Sequence, residues 1–114
     1  MSSEAECRPD DVVVTGLGTV NPLGADVEST WSALNEGTCA VRALEHEWVE
    51  SHDLPVRIGA PLAVDPAESL PPRQLRRLDR ASQCALLAAR QAWEQAEAPQ
   101  VAPQRLAVSV SPGM

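Results

Sequence analysis

The chain has 114 residues, which allows one small domain at most. Its net charge of −7 at neutral pH argues against a general nucleic-acid-binding protein. The charge is uneven, because residues 1–71 hold thirteen acids and three arginines whereas residues 72–114 hold three acids and six arginines. The second part is therefore suited to an acidic protein partner.

The three cysteines, Cys7, Cys39 and Cys84, are odd in number and form no C-x-x-C motif. No histidine lies close enough in sequence to suggest a zinc site, so we expect free thiols in a reducing compartment. No segment has the continuous apolar length of a membrane span, and the polar, acidic start is unlike a secretion signal. We therefore expect a cytoplasmic protein with no membrane span.

The first part of the chain, residues 1–11, is predicted to be a disordered acidic lead-in. The run Val12–Val14 then predicts a strand buried on both faces, since β-branched residues suit a pleated backbone. Gly16 and Gly18 allow backbone angles or close approaches that a side chain would forbid. Pro22 and the glycine that follows two residues later close this loop.

A glycine loop after a strand also raises nucleotide binding as an alternative. The dinucleotide pattern G-x-G-x-x-G fails here, because Asn21 occupies the third glycine position and a proline follows it. The phosphate-loop pattern needs a lysine, and the chain has none. Tight-turn chemistry between a core strand and a helix is the better interpretation.

A helix is predicted from Asp26 to Glu36, with Asp26 as its N-cap. Val27, Trp31 and Leu34 lie at i, i+4 and i+7 and form one apolar face. Gly37 is a natural left-handed residue at the end of this helix.

The next segment, residues 38–56, is predicted to be irregular, with Cys39, Val41 and Leu44 as anchors on the core. Two clusters within it, Glu45-His46-Glu47 and His52-Asp53, contain side chains that can bind metals. A solvated acidic loop is the alternative. We favour that loop and predict no metal site, because no defined ligand spacing appears.

A short strand is predicted within Arg57–Leu62, and Pro61 limits it to an edge or an end. Asp65–Leu70 predicts one turn of helix. A long helix is then predicted from residue 73 to about Ala96, with an alanine-rich face that allows close approach to another element, so we expect it to be largely buried. Pro99 ends it, and Leu106–Val110 predicts a second strand.

Four arginines at the start of that helix, Arg73, Arg76, Arg77 and Arg80, have the spacing of one helical face. Because like charges on one face repel one another, the arrangement favours an anionic partner. The alternative is a solvated face tempered by Asp79.

The string V-V-V-T-G-L-G-T-V-N-P-L-G at Val12–Gly24 resembles the amino-terminal end of the β-ketoacyl-[acyl carrier protein] synthases, the elongating condensing enzymes of fatty-acid and polyketide synthesis. Three later strings are also similar to segments of that family: L-P-V-R-I-G-A, L-P-P-R-Q-L-R-R-L-D-R and R-L-A-V-S-V-S-P-G-M. Together they cover nearly all of Val12–Met114. The chain departs from the family at Ala81 and Cys84, which replace aromatics, and at Ser111-Pro112, which replaces Gly and Thr/Ser.

The resemblance implies an α/β, thiolase-like fold built from layered βαβαβ halves. Residues 12–114 would then be a partial N-terminal synthase domain that lacks the later strands. We expect the isolated chain to have unpaired strand edges and no sharp cooperative melt. The family usually forms a homodimer, so a second copy or a synthase partner subunit is an expected partner.

The family catalyses a decarboxylating Claisen condensation of an acyl thioester with malonyl-carrier protein, using a nucleophilic cysteine and two histidines. Cys39, Cys84, His46 and His52 match none of those positions, so we predict no catalytic residue here and no condensation by this chain alone. The resemblance implies no cofactor.

Two site assignments follow from the resemblance. Arg73, Arg76 and Arg77 fall where the family docks the acidic, phosphopantetheine-bearing acyl carrier protein, and Met114 falls on a hydrophobic gate of the acyl pocket. Two functions stay open: the N-terminal piece of a synthase, as a fragment or a truncated relic, and a non-catalytic module that binds acyl carrier protein.

Overall fold

The computed structural model describes residues 8–111. In chain order these form four α-helices, two short strands and two 3-10 helices. The α-helices are α1 (Val27–Asn35), α2 (Glu47–Ser51), α3 (Pro72–Leu75) and α4 (Arg80–Gln95); the strands are β1 (Arg42–Ala43) and β2 (Ile58–Gly59); the 3-10 helices are Pro66–Ser69 and Pro103–Arg105.

Helix α1 confirms the prediction made from its cap. The Asp26 side chain accepts a hydrogen bond from the Ser29 backbone N–H at 2.8 Å, and Ser29 caps in return, which completes a capping box. Gly37 ends the helix with φ of +69°. The predicted apolar face is covered only in part, since Val27 is half-buried whereas Trp31 is 64% exposed and Leu34 is 54% exposed.

The two strands pair in one antiparallel ladder, with Arg42 opposite Gly59 and Ala43 opposite Ile58. The predicted strand in Arg57–Leu62 is confirmed. Residues 38–56 are more regular than predicted, because they contain β1 and α2.

Of the three residues expected to anchor residues 38–56, only Leu44 is half-buried. It lies against Gly59, where a Cβ would meet the Leu44 methyl groups at 3.2 Å. Cys39 and Val41 are exposed, so the prediction that they anchor the core is wrong. The most buried side chain of this part of the chain is instead Val49 of α2, at 1% exposure.

The predicted buried strand at Val12–Val14 is wrong for the part of the chain that the structure describes. All three valines are exposed, and these residues join no ladder. A strand is completed by hydrogen bonds to a neighbouring strand, and none of residues 8–111 supplies one here.

The predicted second strand, Leu106–Val110, is wrong for the same reason. It follows the 3-10 helix Pro103–Arg105, and its large apolar side chains, Leu106, Val108 and Val110, are exposed. A segment with alternating apolar residues forms a β-strand only when a second segment forms backbone hydrogen bonds with it.

The single long helix predicted from residue 73 is also wrong. The structure has a short α3, then a turn, then α4, which begins after Asp79. The Asp79 carboxylate accepts a hydrogen bond from the Ser82 backbone N–H at 2.9 Å and so acts as an N-cap. Arg73, Arg76, Arg77 and Arg80 therefore do not share one continuous helical face.

Helix α4 ends at Gln95, ahead of Pro99 as predicted. It is less buried than expected, since Gln83 is the only residue of α4 classed as fully buried. The 3-10 helix Pro66–Ser69 packs against α4 and confirms the predicted helical turn there. Leu70, at 5% exposure, and Pro66 belong to the small core that forms at this contact.

Residues 8–11 form a turn, in which the Arg8 backbone N–H donates to the Asp11 carboxylate at 2.7 Å. The rest of the expected acidic lead-in, residues 1–7, and the gate residue Met114 lie outside the described residues. Across residues 8–111, no helix combines the length and the hydropathy needed to span a membrane.

Candidate functional site

The glycine loop lies directly on α4, which identifies the element behind the close approach that the two glycines allow. A Cβ at Gly16 would collide with the carbonyl oxygen of Ala92, and a Cβ at Gly18 would collide with that of Ala88. The two glycines therefore meet positions one helical turn apart, and the small alanine side chains leave room for the loop. This close approach fixes the loop against α4, the helix that follows α3 and the turn bearing Arg76 and Arg77.

Two glutamines of α4 hold the backbone of this loop. Gln95 Oε1 accepts from the Leu17 N–H at 2.5 Å, and Gln91 Oε1 accepts from the Thr19 N–H at 3.0 Å. Gln91 Nε2 also donates to the Ala25 carbonyl at 2.7 Å. Side-chain amides thus satisfy backbone groups that would otherwise need a neighbouring strand.

Sequence reasoning missed these glutamines. Their signal was available, because Gln91 and Gln95 lie four residues apart on the alanine-rich side of the helix. When small residues of a helix let a glycine loop come close, a glutamine among them can form hydrogen bonds with the backbone N–H and C=O groups of that loop.

Asn21 organises the turn between the glycine loop and α1. Its Oδ1 accepts from the backbone N–H of Leu23 at 2.8 Å and of Gly24 at 3.2 Å. Its Nδ2 donates to the hydroxyls of Thr19, at 3.0 Å, and Thr30, at 2.9 Å. The residue that breaks the dinucleotide pattern therefore has a structural role of its own, which supports the tight-turn interpretation.

The arginine surface consists of Arg73, Arg76 and Arg77. Arg73 lies in α3, Arg76 follows its last residue, and Arg77 lies in the turn before α4. All three are exposed, and none pairs with a carboxylate anywhere in residues 8–111. They present positive charge to solvent that no described acid neutralises at contact distance.

Arg80 differs from those three. Its Nη1 lies 2.6 Å from Asp65 Oδ1. The same carboxylate accepts from the Ala67 backbone N–H at 2.8 Å, as the cap of the 3-10 helix. The hydrogen bond from the Ala67 N–H and, after it, the one from Arg80 lower the pKa of Asp65 below its ordinary value.

The arginine surface is tied to α4 at two further points. The Arg90 guanidinium donates to Gln74 Oε1 at 3.1 Å, which joins α3 to the middle of α4. Gln83, which is buried, donates from Nε2 to the Leu78 carbonyl at 2.9 Å. Both contacts were missed from the sequence, and together they hold the turn on which the surface lies.

The cysteines and histidines stay apart in the described structure. Cys39 is exposed, which corrects the interpretation of it as a core residue, whereas Cys84 is half-buried in α4. His46 stacks on Trp48 with ring centroids 5.6 Å apart, and His52 Nδ1 lies 2.9 Å from the Trp48 carbonyl oxygen. No hydrogen bond joins a described cysteine to a described histidine. Among residues 8–111, no group of three or more metal-binding side chains forms.

Residues 9–114 match the family model described as "Beta-ketoacyl synthase, N-terminal domain". The chain belongs to the β-ketoacyl synthase family. The family predicted from the four sequence strings is therefore confirmed, and its N-terminal domain is α/β. The two strands and four α-helices of the described residues are consistent with part of that fold.

Named relatives agree with the family. The chain is 37% identical over 103 residues to the 3-oxoacyl-[acyl-carrier-protein] synthase 2 of Mycobacterium tuberculosis, which covers 90% of this chain and 25% of the relative. It is 42% identical over 91 residues to the tetracenomycin polyketide synthase ketoacyl synthase beta subunit of Streptomyces glaucescens, covering 79% and 21%. The alpha subunit of that system is 34% identical over 113 residues, covering 96% and 25%. The chain spans about a quarter of the length of the curated relatives it matches.

Proposed function

We propose that this chain is the N-terminal portion of a β-ketoacyl-[acyl carrier protein] synthase. Such an enzyme joins an acyl thioester to malonyl-carrier protein with loss of carbon dioxide, in fatty-acid or polyketide synthesis. The observation that carries the proposal is the family match over residues 9–114, with relatives named as a 3-oxoacyl-[acyl-carrier-protein] synthase and as a polyketide synthase subunit. A cytoplasmic site of action and a second copy or partner subunit belong to the same proposal.

We propose further that the residues of this chain do not perform the condensation by themselves. A cysteine nucleophile needs a lowered pKa, commonly from a helix N-terminus or an adjacent histidine. Cys84 lies in the fifth position of α4, beyond its first turn, and neither it nor Cys39 has a histidine as a hydrogen-bond partner. The nucleophile and both histidines of the reaction would come from outside these residues.

The role that these residues do support is binding of the acyl carrier protein through the arginine surface. Arg73, Arg76 and Arg77 are exposed and carry no described carboxylate partner. They lie on α3 and the turn after it, which Arg90 and Gln83 of α4 hold in place. An acidic partner is attracted to such a patch, with a faster association rate at low ionic strength. Met114 is assigned to the gate of the acyl pocket on the family resemblance alone.

A second candidate function is a non-catalytic module that binds acyl carrier protein. The same arginine surface favours it, because docking requires no nucleophile. The two candidates differ in whether the polypeptide that contains these residues also condenses acyl chains.

Docking is tested by titrating acyl carrier protein into the polypeptide as the source cells make it, by isothermal calorimetry at low ionic strength. We expect the double charge reversal Arg76→Glu/Arg77→Glu to weaken binding by at least an order of magnitude, because it replaces attraction by repulsion at two adjacent positions.

The matched control is Arg42→Glu/Arg105→Glu, which makes the same change in net charge at two exposed arginines on other elements. It should leave binding nearly unchanged. Equal losses in both double variants would show that only net charge matters and would contradict a specific docking surface.

A further inference from the structure

We propose that Asp65, by pairing with Arg80, prevents this arginine from binding the acidic partner of the arginine surface. Asp65 thereby limits the affinity of that surface for the acyl carrier protein. This inference rests on the docking role proposed above and concerns how that surface is regulated. It arises from a difference among four arginines that are close in sequence, of which only one has a described ion pair.

The geometry makes Asp65 a fixed competitor for Arg80. Its Oδ1 accepts from Arg80 Nη1 at 2.6 Å and from the Ala67 backbone N–H at 2.8 Å. Because the second bond caps the 3-10 helix Pro66–Ser69, which packs on α4, the carboxylate is held in place by the fold. The nearer acid in sequence, Asp79, caps α4 by accepting from the Ser82 N–H, and the described ion pair of Arg80 is with Asp65.

The pair also lies where a partner can reach it. The Arg80 side chain is 56% exposed and that of Asp65 is 50% exposed. Exposed ion pairs contribute little net stability, because water solvates both charges well. A partner carboxylate can therefore compete for Arg80, but it meets the negative charge of Asp65 as it approaches.

The test is the variant Asp65→Asn, titrated with holo-acyl carrier protein at low ionic strength in the same polypeptide. Asparagine keeps the oxygen that caps Ala67 but loses the charge that holds Arg80. We expect the dissociation constant to fall by about two- to fivefold, the range that an exposed ion pair can supply. The gain should shrink as salt is added.

Two comparisons make the result specific. Asp53→Asn removes one charge from another exposed pair, Arg57 with Asp53 at 2.9 Å, and should leave the dissociation constant nearly unchanged. In an Arg80→Gln background, Asp65→Asn should produce no gain, because the arginine that it releases is gone.

Each outcome decides between the proposals. No gain from Asp65→Asn, or an equal gain with and without Arg80, overturns the role of Asp65. The docking surface still stands in that case if Arg76→Glu/Arg77→Glu weakens binding by at least an order of magnitude. If that double reversal leaves binding unchanged, the docking proposal fails and the inference about Asp65 fails with it.

Discussion

At the scale of single residues, two glycines pack closely against a helix backbone. Gly16 and Gly18 lie so near the carbonyl oxygens of Ala92 and Ala88 that any Cβ would overlap them. The obstructing atoms belong to helix backbone and cannot move aside as a flexible side chain can. The need for glycine was predicted from the sequence, and the helix that imposes it was found only in the structure.

We expect Gly18→Ala to lower the opening free energy of the loop–helix contact by about 1–3 kcal/mol, the usual cost of forcing extra volume into a packed site. Native-state hydrogen exchange of the amides at residues 88–96 measures this energy. Gly37→Asn is the control, because asparagine tolerates the positive φ at that open position and should leave the exchange of α4 unchanged. Unaltered exchange in Gly18→Ala would contradict the contact.

Other residue roles were predictable from the sequence when the hydrogen-bond partner is close along the chain, and not when it is distant. The caps at Asp26 and Asp65 follow from side chains that bond to backbone two or three residues away, so sequence was enough to predict both helical turns. The bonds of Gln91 and Gln95 reach across more than sixty residues. Such contacts depend on which segment the fold places over the helix, which a single sequence does not specify.

At the scale of elements, the sequence predicted one long helix where the structure has two, α3 and α4, with a break between them. The apolar period continues without interruption through Leu75 and Leu78 and so predicted one helix. Asp79 favours a new helix start at this point instead, because its carboxylate accepts a hydrogen bond from the Ser82 N–H, which has no partner within the first turn of α4. The spacing Asp79-x-x-Ser82 was the available signal. As a result, the arginine surface spans the short α3 and the turn after it and does not follow one long helix.

We expect this start of α4 to weaken in acid. Hydrogen bonds from the Ser82 hydroxyl and backbone N–H lower the pKa of Asp79 below its ordinary value of 3.8. Because the folded pKa is the lower one, the stabilisation is complete above about pH 3.8 and is lost as the pH falls through the folded value.

Asp79→Ala should remove the same stabilisation at neutral pH, seen as faster amide exchange in the first turn of α4. Asp79→Asn should retain most of the protection and lose its dependence on pH, since asparagine caps a helix without titrating. A pH dependence that persists in Asp79→Asn would assign the effect to another group.

The two missing strands illustrate the limit of periodicity at this scale. Val12–Val14 and Leu106–Val110 have the composition of core strands, yet no described residue pairs with them. The short ladder of Arg42 and Ala43 with Ile58 and Gly59 forms because both partners are present. Strand formation is thus a property of pairs of segments, whereas α1 could be predicted from one segment alone.

At the scale of the whole molecule, the chain is expanded for its length. Its radius of gyration is 18.4 Å, whereas a compact domain of this length has one of about 13 Å. Trp31, Val108 and many other large apolar side chains are exposed, and the core around Val49, Pro66 and Leu70 is small. So little burial does not offset the conformational entropy lost when the chain orders.

We therefore expect the 114-residue chain, produced alone, to lack a sharp cooperative thermal transition and to associate through its exposed apolar segments. Circular dichroism during heating, with light scattering on the same sample, measures both properties. A reversible single transition from a monodisperse sample would contradict this expectation.

The central claim, that these residues are the N-terminal portion of a larger synthase, is tested most directly by the intact mass of the native polypeptide. The protein would be isolated from its source cells, followed through the tryptic peptide Ala81–Arg90, and weighed without digestion. The claim predicts a species several times heavier than 12.2 kDa, because relatives in the family are about four times as long as the matched segment. A native species near 12.2 kDa would contradict it and would favour the non-catalytic module.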